Sequence, residues 1–193
     1  FVIDAEAALY DIRDYVTGEI VVVLGIVDFL GTQINGKLNL GNSAVVMQYG
    51  EILNTYQKTY LANDDHHEDR KYFSPGNPDK LVTTVLIKGE TVRIATPICE
   101  DIWSDDHEEC LIKRSKEVYG ADLICVPNYS YFYYGKQTKR ETLVSKLAKR
   151  NYIPIIYANC AAVGDIVKNV MIYDGGSMAY DVEGNKIAQA KFF

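Results

Sequence analysis

The sequence predicts an α/β fold in which helices are layered against β-sheet, and three observations carry that prediction. Between residues 107 and 160 two helical segments alternate with two short apolar runs; pairs of strands joined at tight turns flank this middle section; and the composition can fill a core. The chain has 193 residues, 48% hydrophobic and 24% charged, which suits a single domain over residues 1–193 with a buried interior and excludes a disordered tail.

Taken in order, residues 1–16 place Val2, Ala5, Ala8, Leu9, Ile12 and Val16 at helical spacing, and Gly18 stops the helix. Residues 19–27 form a β-branched run with almost no polar interruption, the pattern of a strand covered on both faces. Gly31, Gly36 and Gly41 then punctuate a predicted loop. Residues 43–49 and 52–58 read as a hairpin turning at Gly50 and ending on Lys58. Residues 62–80, with Pro75, Gly76 and Pro78, form the longest irregular stretch, and long ordered loops tend to carry function. A second hairpin covers 81–87 and 91–98, its second strand running directly into Cys99. A helix over 107–119 closes at Gly120, a buried strand spans 121–126, a helix spans 138–150 and an apolar strand spans 153–160. Three further short strands finish the chain, the last two joined at Glu183-Gly184-Asn185.

Twenty Lys and Arg against 26 Asp and Glu give a net charge of −6, which argues against a nucleic-acid backbone binder. The basic residues Lys139, Arg140, Lys146, Lys149 and Arg150 read as the solvated face of their helix. The longest apolar run, residues 20–30, is too short for a membrane span and is interrupted by Asp28. The first residues lack the basic and apolar regions of a signal peptide, and four sparse cysteines fit neither a disulfide scaffold nor C-x-x-C zinc spacing, so a reducing, cytoplasmic setting is expected. Residues 64–69 fit a solvated loop better than a metal site, and no metal is expected. Tyr129 to Tyr134 hold five aromatics in six residues, read as pocket lining or a subunit contact.

The sharpest chemical feature is Ile98-Cys99-Glu100-Asp101-Ile102-Trp103, a cysteine at the end of a strand and the start of a turn or helix. Backbone N–H groups there would favour thiolate and make Cys99 a nucleophile, although the hexapeptide alone also fits a buried structural cysteine. Cys110, Cys125 and Cys160 lie within helix or strand patterns. His66, His67 and His107 all sit amid acidic residues, so a lysine with a carboxylate is the natural activating system. Lys58 is the candidate, although on its own it reads as a solvated surface lysine.

Several blocks in order carry a resemblance. Tyr56-Gln57-Lys58-Thr59-Tyr60-Leu61 with Arg70-Lys71-Tyr72-Phe73-Ser74-Pro75-Gly76 resembles the catalytic-lysine region of the nitrilase, or carbon-nitrogen hydrolase, superfamily. The Cys99 hexapeptide resembles its nucleophile strand, and Val126-Pro127-Asn128-Tyr129-Ser130 with Gly135-Lys136, Tyr157-Ala158-Asn159 and Gly175-Gly176-Ser177 resemble its later blocks. Together they are most similar to the glutaminase domains of glutamine-dependent NAD synthetases.

The resemblance implies an α-β-β-α sandwich and a Glu-Lys-Cys triad. Cys99 would attack the side-chain amide of glutamine, and Lys58 with the Glu100 N–H would hold the oxyanion. Glu100, Ser130 and Lys136 fall where the family contacts the glutamine head group; read alone, Ser130 is a turn residue and Lys136 a helix start. The resemblance also implies a synthetase domain as partner, with ATP and the NAD precursor bound there and no cofactor within these residues. The alternatives are a free-standing amidase or carbamoylase, or a catalytically silent interaction domain.

Three departures shape the expectation. The family's triad glutamate lies on a segment upstream of the opening helix; Glu6 and Glu19 lie in the wrong elements to replace it. The chain is therefore expected to be truncated at its amino terminus, impaired as a glutaminase, and prone to form a homo-oligomer through uncovered sheet. In the lysine loop Ala62 follows Leu61 where the family has proline, Asp64 replaces an aromatic, and Glu68-Asp69 carries the supporting acidic pair in reversed order. Tyr131 replaces a common proline after Ser130.

Overall fold

The computed structural model describes residues 2–63, 67–103, 110–165 and 170–193. The order is α1 (Val2–Tyr15), β1 (Val22–Thr32), β2 (Leu38–Gln48), β3 (Glu51–Gln57), α2 (Asp69–Tyr72), β4 (Val82–Ile87), β5 (Glu90–Ala95), α3 (Leu111–Glu117), β6 (Leu123–Asn128), α4 (Lys136–Asn151), β7 (Ile155–Asn159), β8 (Ala161–Asp165), β9 (Val170–Asp174), β10 (Met178–Tyr180) and β11 (Lys186–Gln189). Short 3-10 turns occupy Pro78–Lys80 and Cys99–Ile102.

Strands β1-β2-β3 form an antiparallel sheet. A six-stranded sheet runs β11-β10-β7-β6-β5-β4, parallel across β5-β6-β7 and antiparallel elsewhere, and β8 pairs with β9 in a separate hairpin. Period-2 geometry in β2 explains the layering. Val45 and Met47 pack under α1 with Leu9 and Val16, while Ala44 and Val46 face the second sheet. Helix α4 covers the outer side of the second sheet through Val144, Leu147 and Ala148, packed with Ile153 and Ile155. The result is the expected α-β-β-α sandwich. Gln48, buried, staples the sheets: its amide nitrogen donates to the Leu86 carbonyl at 2.5 Å, and its oxygen accepts the Leu86 N–H at 3.0 Å.

Several sequence expectations change. The strand covered on both faces is β2, the middle strand of its sheet; β1 lies at the edge and is only half-buried. The predicted glycine loop is shorter than read: residues 33–37, with Gly36, form the turn, while Gly31 sits at a bulge in β1 and Gly41 lies within β2. Strand β5 ends at Ala95, and three residues separate it from the turn that begins at Cys99. The helix expected over 107–119 is described from Leu111, and residues 107–109 lie outside the described residues. Among the described residues four strands follow Cys160 rather than three. The two hairpin turns are as read: Tyr49-Gly50 and Lys88-Gly89 each hold two consecutive positive φ angles, matching the twist of the strands they join.

Candidate active site

Lys58 is the first residue after β3, and two backbone bonds anchor it: its N–H donates to the Asn42 carbonyl at 2.8 Å, and its carbonyl accepts the Gly76 N–H at 2.8 Å. A side chain at Gly76 would collide with the Gln57 carbonyl, so only glycine lets this loop cross the end of β3 so closely. The lysine side chain is 3% exposed and its ammonium donates to Asp69 Oδ2 at 2.6 Å. Asp69 opens α2 and also accepts the Ala62 N–H at 3.2 Å. Of the expected acidic pair, then, Asp69 reaches Lys58, while Glu68 pairs outward with Lys71 at 3.4 Å.

Cys99 occupies a sharp elbow with φ of 45°, a left-handed conformation that costs a non-glycine residue about 1–2 kcal/mol and must be held by its surroundings. Asp101 does much of the holding. Its buried carboxylate accepts the Ile98 N–H at 2.9 Å, the Tyr60 N–H at 2.7 Å and the Tyr56 hydroxyl at 2.9 Å. Burial pushes Asp101 up to about 6 in spite of those donors.

Cys99, Lys58 and Asp69 line one cavity of about 630 Å³, together with Gly25, Asn42, His67, Asn128, Tyr129, Asn159 and Cys160 among others. A volume of this size suits a small-molecule site. Burial pushes the Cys99 thiol up, Lys58 and Lys136 pull it down, and Glu100 and Asp69 add to the rise; the net is upward, opposite to the lowering expected from the elbow's backbone donors. For Lys58 burial works against the ammonium, but the fields of Cys99, Asp69 and Asp101 outweigh it and hold its pKa above the ordinary lysine value. The four cysteines are free thiols, and burial raises Cys125 to about 11.

Lys58 and Cys99 do not sit on adjacent strands of one sheet, as a shared strand-end origin suggests. They come from opposite sheets whose faces meet at the cavity. Lys136 is the first residue of α4, its ammonium over the rings of Trp103 at 4.6 Å, Tyr133 at 5.2 Å and Tyr131 at 5.9 Å. Ser130 is 5% exposed and lies outside the cavity lining, its hydroxyl accepting from Arg140 Nε at 3.2 Å.

Arg140 overturns its reading as part of a solvated face. It is fully buried, pairs with Asp174 at 2.7 Å, and donates to the carbonyls of Ser130 at 2.8 Å and Tyr131 at 2.9 Å. Asn159 closes the same network, accepting the Ser130 N–H at 3.0 Å and donating to the carbonyls of Ser130 and Gly175. The loop carrying Tyr129, Tyr131 and Lys136 is thereby fixed from below. Among the described residues no three His, Cys, Asp or Glu side chains cluster as a metal site, and no helix is long and apolar enough to cross a membrane.

The chain belongs to the carbon-nitrogen hydrolase family, whose pattern its residues 16–193 match. Within that family its curated relatives include glutamine-dependent NAD(+) synthetases from Thermotoga maritima (30% identical over 79% of this chain) and Xanthomonas campestris pv. campestris (32% over 83%). The chain spans 24% and 27% of those two proteins, about a quarter of their length. Among solved structures, glutamine-dependent NAD+ synthetase from Acinetobacter baumannii, in complex with ADP, superposes with a TM-score of 0.79 at 27% identity, covering 100% of this chain and 33% of that one. A Nesterenkonia amidase of the nitrilase superfamily shares the fold, with a TM-score of 0.75 at 21% identity over 100% of this chain and 65% of its own.

Proposed function

We propose that this chain carries a glutaminase chemistry that serves NAD synthesis, with Cys99 as the nucleophile. The observation that carries the reading is the cavity that brings a cysteine on a strained elbow together with a buried lysine from the opposite sheet. The Cys99 thiolate adds to the side-chain amide carbon of glutamine, and the oxygen becomes an oxyanion. Lys58 and the Glu100 N–H donate to that oxygen, where fixed donors contribute most. The C–N bond breaks as the nitrogen takes up the proton that the Cys99 thiol gave up, ammonia leaves and a thioester remains. Water then adds to the thioester and the C–S bond breaks: the water oxygen becomes part of the new carboxyl group of glutamate, and a water proton restores the Cys99 thiol.

Glutamine is favoured over a simple amide by Lys136. A lysine in the first turn of a 16-residue helix opposes the helix dipole, and no acidic residue shares that turn. Its charge also acts on Cys99, so it lies within electrostatic reach of the reacting sulfur. An ammonium placed there suits the α-carboxylate of an amino-acid substrate, with Glu100 and the Ser130 loop completing the head-group contacts. Ammonia would pass to a synthetase domain, which would bind ATP and the NAD precursor.

Turnover by these residues alone is slow in this reading. Asp69, the carboxylate lining the cavity among the described residues, already accepts from Lys58 and Ala62 and so acts as counter-ion, not proton shuttle. The test uses a glutamine analogue bearing a chloroketone in place of the amide. One equivalent should attach to Cys99, and glutamine should slow the reaction more than asparagine. Attachment elsewhere overturns the nucleophile, and indifference to glutamine overturns the substrate. Steady glutamate release that disappears in Cys99→Ala would keep the nucleophile and overturn the slow turnover.

A further inference from the structure

Strands β3 and β5 lie in different sheets, so no ladder of backbone bonds sets Lys58 at the end of one against Cys99 beyond the end of the other. Side-chain packing between sheet faces is non-directional and by itself does not fix such a separation closely. Polar ties elsewhere, Gln48 to Leu86 and Asn54 to Lys80 and Thr83, join β2 and β3 to β4 and the turn before it, away from the elbow. At the site itself one fully buried carboxylate spans the gap. Asp101 holds Tyr56 and Tyr60, two residues to either side of Lys58, and Ile98, the residue before Cys99.

We propose that Asp101 is a positioning residue that sets the approach of Lys58 to Cys99 by fastening the end of β3 and the cysteine elbow to a single carboxylate. The inference deepens the reading above and rests on Cys99 and Lys58 being its working pair. Asp101 does not line the cavity and touches no reacting atom. Its effect is transmitted through Tyr56, Tyr60 and Ile98, each of which would be released if the carboxylate lost its acceptors.

The sign of one measurable effect separates this role from two others. Among the described residues the charged groups acting most on Cys99 are Lys58 and Lys136, which favour thiolate, and Glu100 and Asp69, which oppose it; the phenols of Tyr157 and Tyr173 are also coupled to it. If Asp101 acted only as a nearby negative charge, neutralising it would make the Cys99 thiolate easier to form. If it only stabilised the fold, its loss would lower the unfolding temperature and leave the thiol's titration in place. Loss of the fastening lets Lys58 withdraw, and the thiolate becomes harder to form.

The experiment is the pH dependence of Cys99 alkylation by iodoacetamide, followed by mass spectrometry on the full chain, for the unaltered protein, Asp101→Asn and Tyr56→Phe. Asp101→Asn should move the midpoint upward by about one unit, the scale expected when a nearby cation moves away. Tyr56→Phe keeps the carboxylate and its charge and removes one of three contacts, so a smaller upward shift is expected. An unchanged or lowered midpoint in folded Asp101→Asn overturns the proposal. If circular dichroism shows that the Asn variant is unfolded, Tyr56→Phe decides: an upward shift supports the fastening and an unchanged midpoint overturns it. Should the shifts occur while glutamine fails to protect Cys99 from the chloroketone, the glutamine reading falls and the positioning role stands.

Discussion

Two cation–carboxylate pairs, each with a buried cation, lie near the cavity and differ in what their cations are free to do. Lys58 and Asp69 meet at 2.6 Å with side chains 3% and 17% exposed, and both line the cavity. Arg140 and Asp174 meet at 2.7 Å with side chains 0% and 2% exposed, beneath the loop that carries Lys136. The lysine has three donors, and the hydrogen bond found for it among the described residues takes one of them, leaving capacity directed at the cavity. The guanidinium spreads its donors over Asp174, Gln137, the Ser130 hydroxyl and two carbonyls. Similar distances thus mark opposite functions. A pair with spare donors facing a cavity is available to a substrate, and a pair whose donors are all engaged is a fastening.

The largest break in that comparison is Arg140→Met. It leaves Asp174 as an uncompensated buried charge and releases two loop carbonyls, so urea denaturation should show a loss of about 3–5 kcal/mol. The paired change Arg140→Met with Asp174→Leu should recover part of the loss, since it removes the orphaned charge but not the freed carbonyls. Asp69→Asn should cost less, about 1–3 kcal/mol, because its carboxylate borders a cavity that water can enter. It should also speed chloroketone attachment to Cys99, because the Asp69 charge opposes the thiolate, whereas Arg140→Met should affect attachment mainly through folding.

A third pair sharpens the contrast from the surface. Lys186 and Glu141 meet at 2.8 Å with both side chains 33% exposed. Hydrogen bonding from Lys186 lowers the Glu141 pKa, with Gln137 and Gln189 assisting against mild desolvation. A depressed carboxylate contributes stability above its unfolded pKa near ~4.3 and loses it as pH falls through its folded value. Lys186→Met should therefore cost about 0.2–1 kcal/mol at pH 7 and nothing well below pH 4, as read from denaturation at the two pH values.

The two pairs also differ in how far they were legible in the sequence. Lys58 and Cys99 stand in recognisable blocks, and Asp69 follows as the acid near the lysine loop. Arg140 was misread because a basic residue among four others looks like part of a solvated face. Its position carried the missing signal: Arg140, Val144, Leu147 and Ala148 follow the i, i+4, i+7, i+8 spacing of the buried stripe of α4. Asp101 shared the cysteine block, but its partners Tyr56 and Tyr60 lie some 40 residues away, a distance spacing cannot bridge. Hairpins such as the one at Tyr49-Gly50 were readable because their pairing is local. The face-to-face meeting of β3 and the elbow depends on two sheets closing over a shared core, and no local pattern records it.

The electrostatic action of Lys58 on Cys99 across the cavity is tested most directly by the pH midpoint of Cys99 alkylation in Lys58→Met. In the unaltered protein the midpoint should lie above the ordinary cysteine value of ~8.5, because burial outweighs the two lysines. Removing the Lys58 ammonium should raise it further, by about 1–3 units, in a protein that keeps its circular dichroism. A folded Lys58→Met protein whose Cys99 titrates where it did before would contradict the pairing and leave the cavity without a catalytic lysine.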